Sequence, residues 1–147
     1  MENQKTDKRI HVFFYGSYIN FDVLAEVDLA PEGYEVARLN GYDILFRPLA
    51  NLVLADQHCV YGIVVKATHA ELERLYKHAQ HILGGTYLPE AVLIETVSGK
   101  WLPALCYIDP IVGTEKADKD YVERIVKPAM EYGFPNWYIE KLKKFAL

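Results

Sequence analysis

Residues 13–20, FFYGSYIN, join an apolar run to a glycine and a serine that interrupt it. A glycine between a strand and a helix lets the backbone approach a ligand closely, and the N–H groups that open a helix favour a carboxylate or a developing oxyanion. On its own such a segment is more often a simple turn than a site. Gly16 and Ser17 are therefore a candidate anion-binding loop that needs support from the rest of the chain.

Histidine and cysteine residues give weaker signals of chemistry. His78 and His81 have a spacing compatible with zinc, but no third ligand is obvious nearby, so we predict no metal site and no cofactor. Cys59 and Cys106 lie in apolar, strand-like runs without a nucleophile-like turn. These cysteines are expected to be reduced and buried, rather than part of a Cys-His hydrolase.

The elements around the loop can be predicted from local patterns. Residues 10–15 form an apolar run typical of a buried strand, and Asn20 is a suitable N-cap for a short helix that ends before Pro31. Two strands are expected at 35–47, bent at the glycine, and at 59–67, after a loop that carries Asn51, Asp56 and His58.

The second half of the chain has clearer boundaries. Thr68 and Glu71 form a T-x-x-E capping box before a helix that Gly84 and Gly85 stop. Strands at 86–97 and 101–109 follow, joined by a hairpin at Ser98-Gly99, and two helices close the chain. Strands interrupted by isolated helices predict an α+β fold, with a small curled mixed β-sheet or β-barrel and flanking helices. We expect a single domain of residues 1–147, in which residues 1–9 are flexible.

Five segments resemble, in order along the chain, those of gamma-glutamylcyclotransferase-like proteins of the AIG2-like or gamma-glutamylamine cyclotransferase type. The loop FFYGS resembles the YGS loop that opens these proteins. LNGYDILF (39–46) resembles the first long strand of the family, and ANLVLADQHCVYGIVV (50–65) resembles its A-N segment. LERLYKHAQHILGGTY (72–87) resembles the L-x-x-L-D helix, and EYGFPNWYIEKL (131–142) resembles the closing helix. The resemblance covers nearly the whole chain.

The resemblance implies an activity and a set of binding residues. Members of this family release 5-oxoproline from gamma-glutamyl compounds by attack of the substrate's α-amine on its γ-carbonyl. Such a reaction needs a carboxylate as general base and acid, donors for the tetrahedral oxygen, and a folded substrate. The positions that match the family's binding residues are Tyr15, Gly16 and Ser17 in the loop, followed by Tyr87 and Tyr121; Tyr18 replaces the usual asparagine of the loop and is included with them.

The helix departs from the family pattern at the catalytic position. Counted forward from Leu75, the catalytic glutamate falls on Ala79; counted backward from Tyr87, it falls on Gln80. Neither side chain carries a proton at neutral pH, although glutamine can hydrogen-bond an amine. His78, His81 or Glu90 could replace the base if its side chain faced the pocket, although exposed polar positions are the plainer explanation for all three. The candidate catalytic residues are Gln80, His81 and Glu90.

Composition excludes several functional classes. The chain has 147 residues, 51% of them hydrophobic and 24% charged, with a net charge of −4, which does not favour nucleic-acid binding. No apolar run is long enough to span a membrane, and the start of the sequence is polar, so we expect a cytoplasmic protein. A homodimer is left open.

Two hypotheses about function follow from the sequence. The first is an enzyme that releases 5-oxoproline from a gamma-glutamyl amine or peptide with a relocated acid/base group. The alternative is a binding module of the same fold that holds a small carboxylated ligand without catalysis. The fold cannot separate them, because function depends on the site.

Overall fold

The apolar run after residue 8 forms strand β1 (Arg9–Phe14), which lies between two other strands of a closed barrel. The computed structural model describes residues 8–147. The flexibility predicted for the first nine residues falls mostly outside this range, and Arg9 already pairs with Thr68. β1 ends directly before the candidate loop, so the barrel fixes where the loop begins.

The barrel has the strand order β1-β3-β2-β4-β5. Its other strands are β2 (Glu35–Phe46), β3 (Ala50–Thr68), β4 (Leu88–Thr96) and β5 (Trp101–Ile108). All neighbours are antiparallel except β1 and β5, whose parallel pairing at Val12 and Leu105 closes the sheet. The predicted mixed, curled sheet is confirmed, and so is the hairpin between β4 and β5.

Strand β3 is longer than the sequence predicts. Asn51, Asp56 and His58, which we assigned to a loop, lie within β3. The pairing of β2 with β3 begins at Phe46 and Ala50 and continues past a register shift between Asn40 and Tyr42, the bulge predicted at Gly41. Asp56, Gln57 and His58 are exposed whereas Asn51 is buried, so the exposed polar run imitates a loop in the sequence.

Four α-helices flank the barrel in the described part of the chain. They are α1 (Phe21–Ala25), α2 (His69–His78), α3 (Lys119–Glu131) and α4 (Asn136–Lys144). Asn20 caps α1 through a hydrogen bond from Asp22 N–H, as predicted. The capping box of α2 is also confirmed, since the Thr68 hydroxyl accepts from Glu71 N–H over 3.1 Å and the Glu71 carboxylate accepts from Thr68 N–H over 2.8 Å.

Side chains from the barrel and the helices form one apolar core. Phe13, Phe14, Leu72, Ile125 and Tyr138 are fully buried in it. One face of α2, which includes Leu72, therefore packs into this core. The residues that follow α2 continue toward the candidate loop. No helix within residues 8–147 has the length and apolarity that crossing a membrane requires.

Candidate functional site

The loop after β1 lines a small cavity at one end of the barrel. Its walls come from β1 and the loop, the start of β3, the end of α2, β5 and α3; they are formed by Phe14, Tyr15, Gly16, Ser17, Tyr18, Ala50, Tyr76, Ala79, Leu83, Tyr87, Tyr107 and Tyr121. The cavity measures about 30 Å³. A water molecule needs roughly 10–15 Å³ by the same measure, so the cavity admits a group about the size of a carboxylate.

Gly16 brings the loop into direct contact with the start of β3. A Cβ atom at this position would lie 2.9 Å from Ala50 Cβ and 3.9 Å from the Tyr121 hydroxyl. The first of these distances is too short for two carbon atoms, so glycine is needed for this close approach. The 3₁₀ turn Ser17–Ile19 begins immediately afterwards, and the Ser17 and Tyr18 N–H groups precede the first hydrogen bond of the turn, from Ile19 N–H to Gly16 O.

Ala50 holds two of the cavity tyrosines by its backbone. Its carbonyl oxygen accepts a 2.6 Å hydrogen bond from the Tyr87 hydroxyl, and its N–H donates to the Tyr121 hydroxyl oxygen over 3.1 Å. The Tyr15 hydroxyl donates to Tyr107 O over 2.6 Å, and the Tyr18 hydroxyl donates to Leu75 O over 3.4 Å. These bonds fix the orientation of four phenol rings around the cavity.

Tyr76 is the centre of the aromatic wall. Its ring stacks on Tyr107 with centroids 3.8 Å apart and an interplanar angle of 10°. Its ring meets Tyr18 edge-on with centroids 5.6 Å apart, and it meets Tyr87 in a tilted contact at 6.0 Å. Within residues 8–147 the Tyr76 hydroxyl forms no hydrogen bond with another residue, so it is an unpaired donor of a residue that lines the cavity.

The cavity is uncharged near neutral pH. Burial is the largest cause that raises the pKa of Tyr15, Tyr18, Tyr76, Tyr87 and Tyr121. At Tyr121 the Ala50 N–H and the Ser17 side chain partly offset this rise in pKa. The phenols can therefore donate hydrogen bonds to a ligand, but they cannot remove a proton from its amine.

Six of the nine predicted site residues come together at this cavity. Tyr15, Gly16, Ser17, Tyr18, Tyr87 and Tyr121 all line it, although up to 106 positions separate them in the sequence. Their common location agrees with the prediction that they form one pocket. That they bind a substrate remains a prediction.

The three candidate catalytic residues do not line the cavity. Gln80 and His81 are exposed after the end of α2, and Glu90 is exposed on β4, where it pairs with Cys106. The negative charge of Glu90 raises the pKa of Tyr42 and Cys106, after the larger effect of burial, and neither of these residues lines the cavity. Gln80, His81 and Glu90 therefore lie outside the cavity wall, and a role for any of them as the acid/base group remains a prediction.

The rotation of the helix end explains this result. Ala79 is 1% exposed and faces the cavity, and each following residue turns by about 100° away from it. A π-helical turn, Ala79–Leu83, then connects α2 to Tyr87.

Sequence reasoning missed two tyrosines of the site. Neither Tyr76 nor Tyr107 is among the predicted binding residues, yet both line the cavity. A signal for Tyr107 exists in β5, because it alternates with buried Cys106 and Ile108 and so belongs to the opposite face of the strand. Only the tertiary structure shows that this face of β5 contacts α2, through the stacking of Tyr107 on Tyr76.

The histidines of α2 do not meet further metal ligands. His78 lies in the last turn of α2 and His81 in the π-helical turn. Across residues 8–147 no three His, Cys, Asp or Glu side chains converge in a way that could hold a metal ion.

Comparison with known proteins gives structural matches only. No protein-family model matches the chain, and no curated protein matches it significantly. An uncharacterized protein from Homo sapiens has a TM-score of 0.82 at 23% identity, over 93% of this chain and 88% of that one. A gamma-glutamyl cyclotransferase has a TM-score of 0.74 at 23% identity, over 92% and 87% of the two chains.

A third similar structure is longer than this chain. YkqA from Bacillus subtilis has a TM-score of 0.75 at 25% identity, over 95% of this chain and 54% of YkqA. All three similarities include the five-stranded barrel and the helices around it, since they cover more than nine tenths of this chain. The protein therefore has the gamma-glutamylcyclotransferase-like fold, as the resemblance of its five sequence segments predicts.

Proposed function

We propose that this protein binds a small carboxylated compound of the gamma-glutamyl type at the cavity and does not convert it. One observation carries the proposal: within residues 8–147 the lining of the cavity contains no carboxylate and no imidazole. The fold supports the gamma-glutamyl part of the proposal, because a protein described as a gamma-glutamyl cyclotransferase has a similar fold.

The absence of a base matters because of the reaction. Release of 5-oxoproline requires a neutral α-amine, and an ammonium group in water keeps its proton at neutral pH. A positioned general base contributes about 10²–10⁴-fold to such a step. Ala79 stands on the helix face where that base would be needed, and a methyl group can neither take nor return a proton.

The groups that remain are suited to binding a carboxylate. The Tyr76 hydroxyl is a free donor beside the loop, and the Ser17 and Tyr18 N–H groups open the 3₁₀ turn. Neutral donors in a partly desolvated site bind an anion without a paired cation if several act together. The volume of about 30 Å³ suits one carboxylate group, so the remainder of the ligand would extend out of the cavity.

The other hypothesis is release of 5-oxoproline by a relocated acid/base group. It requires His81, Glu90 or a water bound by Gln80 to reach the ligand, and all three residues are exposed and absent from the cavity wall. We therefore favour binding over turnover for this chain.

The test combines binding and turnover on the same protein. Purified protein is incubated with gamma-glutamyl dipeptides, glutathione and gamma-glutamyl amines, and 5-oxoproline is measured by mass spectrometry while thermal stability reports binding. We expect stabilisation by at least one of these compounds and no 5-oxoproline above the uncatalysed level. Turnover by the unaltered protein, or failure of every compound to stabilise it, would contradict the proposal.

A substitution at Ala79 gives a second, independent test. Ala79→Glu restores a carboxylate on the face that lines the cavity, so we expect it to create release of 5-oxoproline. Ala79→Gln is the matched control, because it adds nearly the same volume without a base. Position 79 is buried, and circular dichroism must first show that both variants are folded.

A further inference from the structure

A second cavity lies directly outside the first. Its volume is about 180 Å³, and it shares Leu83 and Tyr87 with the first cavity as a common wall. Leu83, which is 39% exposed and ends the π-helical turn, and Tyr87 are the two residues that line both cavities. We call this second cavity the outer pocket; its remaining lining residues are Arg47, Pro48, Leu49, Asn51, Gly84, Gly85, Asp109, Ile111 and Gly113.

The floor of the outer pocket is a closed set of hydrogen bonds. The buried Asn51 amide donates to Asp109 O over 2.8 Å and accepts from Asp109 N–H over 3.0 Å. The Asp109 carboxylate accepts from Thr86 N–H over 3.2 Å and from Ile111 N–H over 2.9 Å. The charge of Asp109 is thus stabilised within the chain, and its oxygens are already occupied.

Arg47 is the charged group of the outer pocket without a partner. It forms no ion pair within residues 8–147, and its side chain is exposed at the lining. A guanidinium group presents a planar set of donors that matches a carboxylate in two-point contact. Leu49, Leu83 and Ile111 provide apolar surface beside it.

We propose that the outer pocket binds the distal end of the ligand, with Arg47 paired to a second carboxylate there. This inference rests on the proposed function, in which the first carboxylate occupies the inner cavity. The ligand is then a gamma-glutamyl derivative of an apolar amino acid, with its side chain against Leu49 and Ile111, and not a gamma-glutamyl amine. Arg47 is accordingly a specificity-determining residue.

Two probes that differ only in one carboxylate test this inference. Gamma-glutamyl-leucine and the gamma-glutamyl amide of 3-methylbutylamine are titrated into the full chain by calorimetry. We expect the unaltered protein to bind gamma-glutamyl-leucine about tenfold more tightly, the value of one partly exposed charge-assisted hydrogen bond, and this preference to fall as salt is raised. Arg47→Gln should abolish the preference.

Further variants separate the outcomes. Arg47→Lys should keep most of the preference, and Arg9→Gln, which removes an exposed charge from the start of β1, should keep all of it. Equal binding of the two probes to the unaltered protein, or a preference that survives in Arg47→Gln, would overturn this inference and leave the proposed function intact. Failure of both probes to bind would overturn both proposals.

Discussion

Tyr87 donates its phenolic hydrogen to the backbone carbonyl of Ala50 over 2.6 Å, although 37 positions separate the two residues. The N–H of the same alanine donates to Tyr121. One residue at the start of β3 therefore orients two rings of the cavity, and its methyl group limits the loop to glycine at position 16. The relationship makes Ala50 the point at which the barrel, the loop and α3 are joined.

Removal of the Tyr87 hydroxyl should lower stability. Tyr87→Phe leaves the ring in place and removes the bond to Ala50 O, so we expect the free energy of unfolding to fall by about 1–2 kcal/mol in urea titrations. Tyr34→Phe is the control, since Tyr34 is 49% exposed and a free phenol there interacts mainly with water. Equal stability of the two variants would show that the bond to Ala50 contributes nothing.

Gly16→Ala should distort the loop. The added methyl group would lie 2.9 Å from Ala50 Cβ, and such overpacking costs about 1–3 kcal/mol. We expect a lower midpoint of thermal unfolding and weaker stabilisation by gamma-glutamyl compounds. Gly33→Ala is matched in chemistry but meets no atom within 4 Å, so it should be neutral or slightly stabilising. Similar effects of both substitutions would contradict the close contact at Gly16.

Alkaline pH should destabilise the protein through its buried phenols. Burial raises the pKa of Tyr15, Tyr76 and Tyr87 above the ordinary value of 10.0. The folded state then keeps protons that the unfolded chain loses, so the stability contributed by these groups is fully present below pH 10 and is lost as pH rises toward their folded pKa. Each group lowers the free energy of unfolding by about 1.4 kcal/mol per pH unit in that range.

Urea unfolding between pH 8 and about pH 11 measures this dependence, with phenolate absorbance as a second signal. Buried tyrosines should ionise only as the chain unfolds. A stability that stays constant through this range would contradict the burial of the phenols.

The capping box of α2 should contribute to stability independently of the cavity. Thr68→Ala removes the acceptor of the 3.1 Å bond from Glu71 N–H, and loss of such a cap costs about 1 kcal/mol. Thr114→Ala, in an exposed segment before α3, is the control. Chemical unfolding of both variants, followed by circular dichroism, measures the difference, and no loss in Thr68→Ala would show that the cap is dispensable.

Several features of the molecule could be read from the sequence because they depend on neighbouring residues. The cap at Asn20, the capping box at Thr68, the bulge at Gly41 and the hairpin at Ser98-Gly99 each rest on the backbone preferences of a few adjacent positions. The order of the five segments was sufficient to predict the fold and to bring Tyr15, Tyr87 and Tyr121 to one pocket.

Other features were decided by the tertiary structure alone. Residues 50–54 and 59–64 of β3 pair with β2 on both sides of the segment 55–58 that carries the exposed polar residues, and these pairing partners lie in another element. Ala79 lines the cavity and Gln80 is exposed, because a one-residue change in helical phase turns the side chain to another face and cannot be detected by counting from either end. Tyr76 and Tyr107 meet only because α2 packs on the outer face of β5. The residue types came from the sequence, whereas the direction in which each side chain points required the packing of the whole chain.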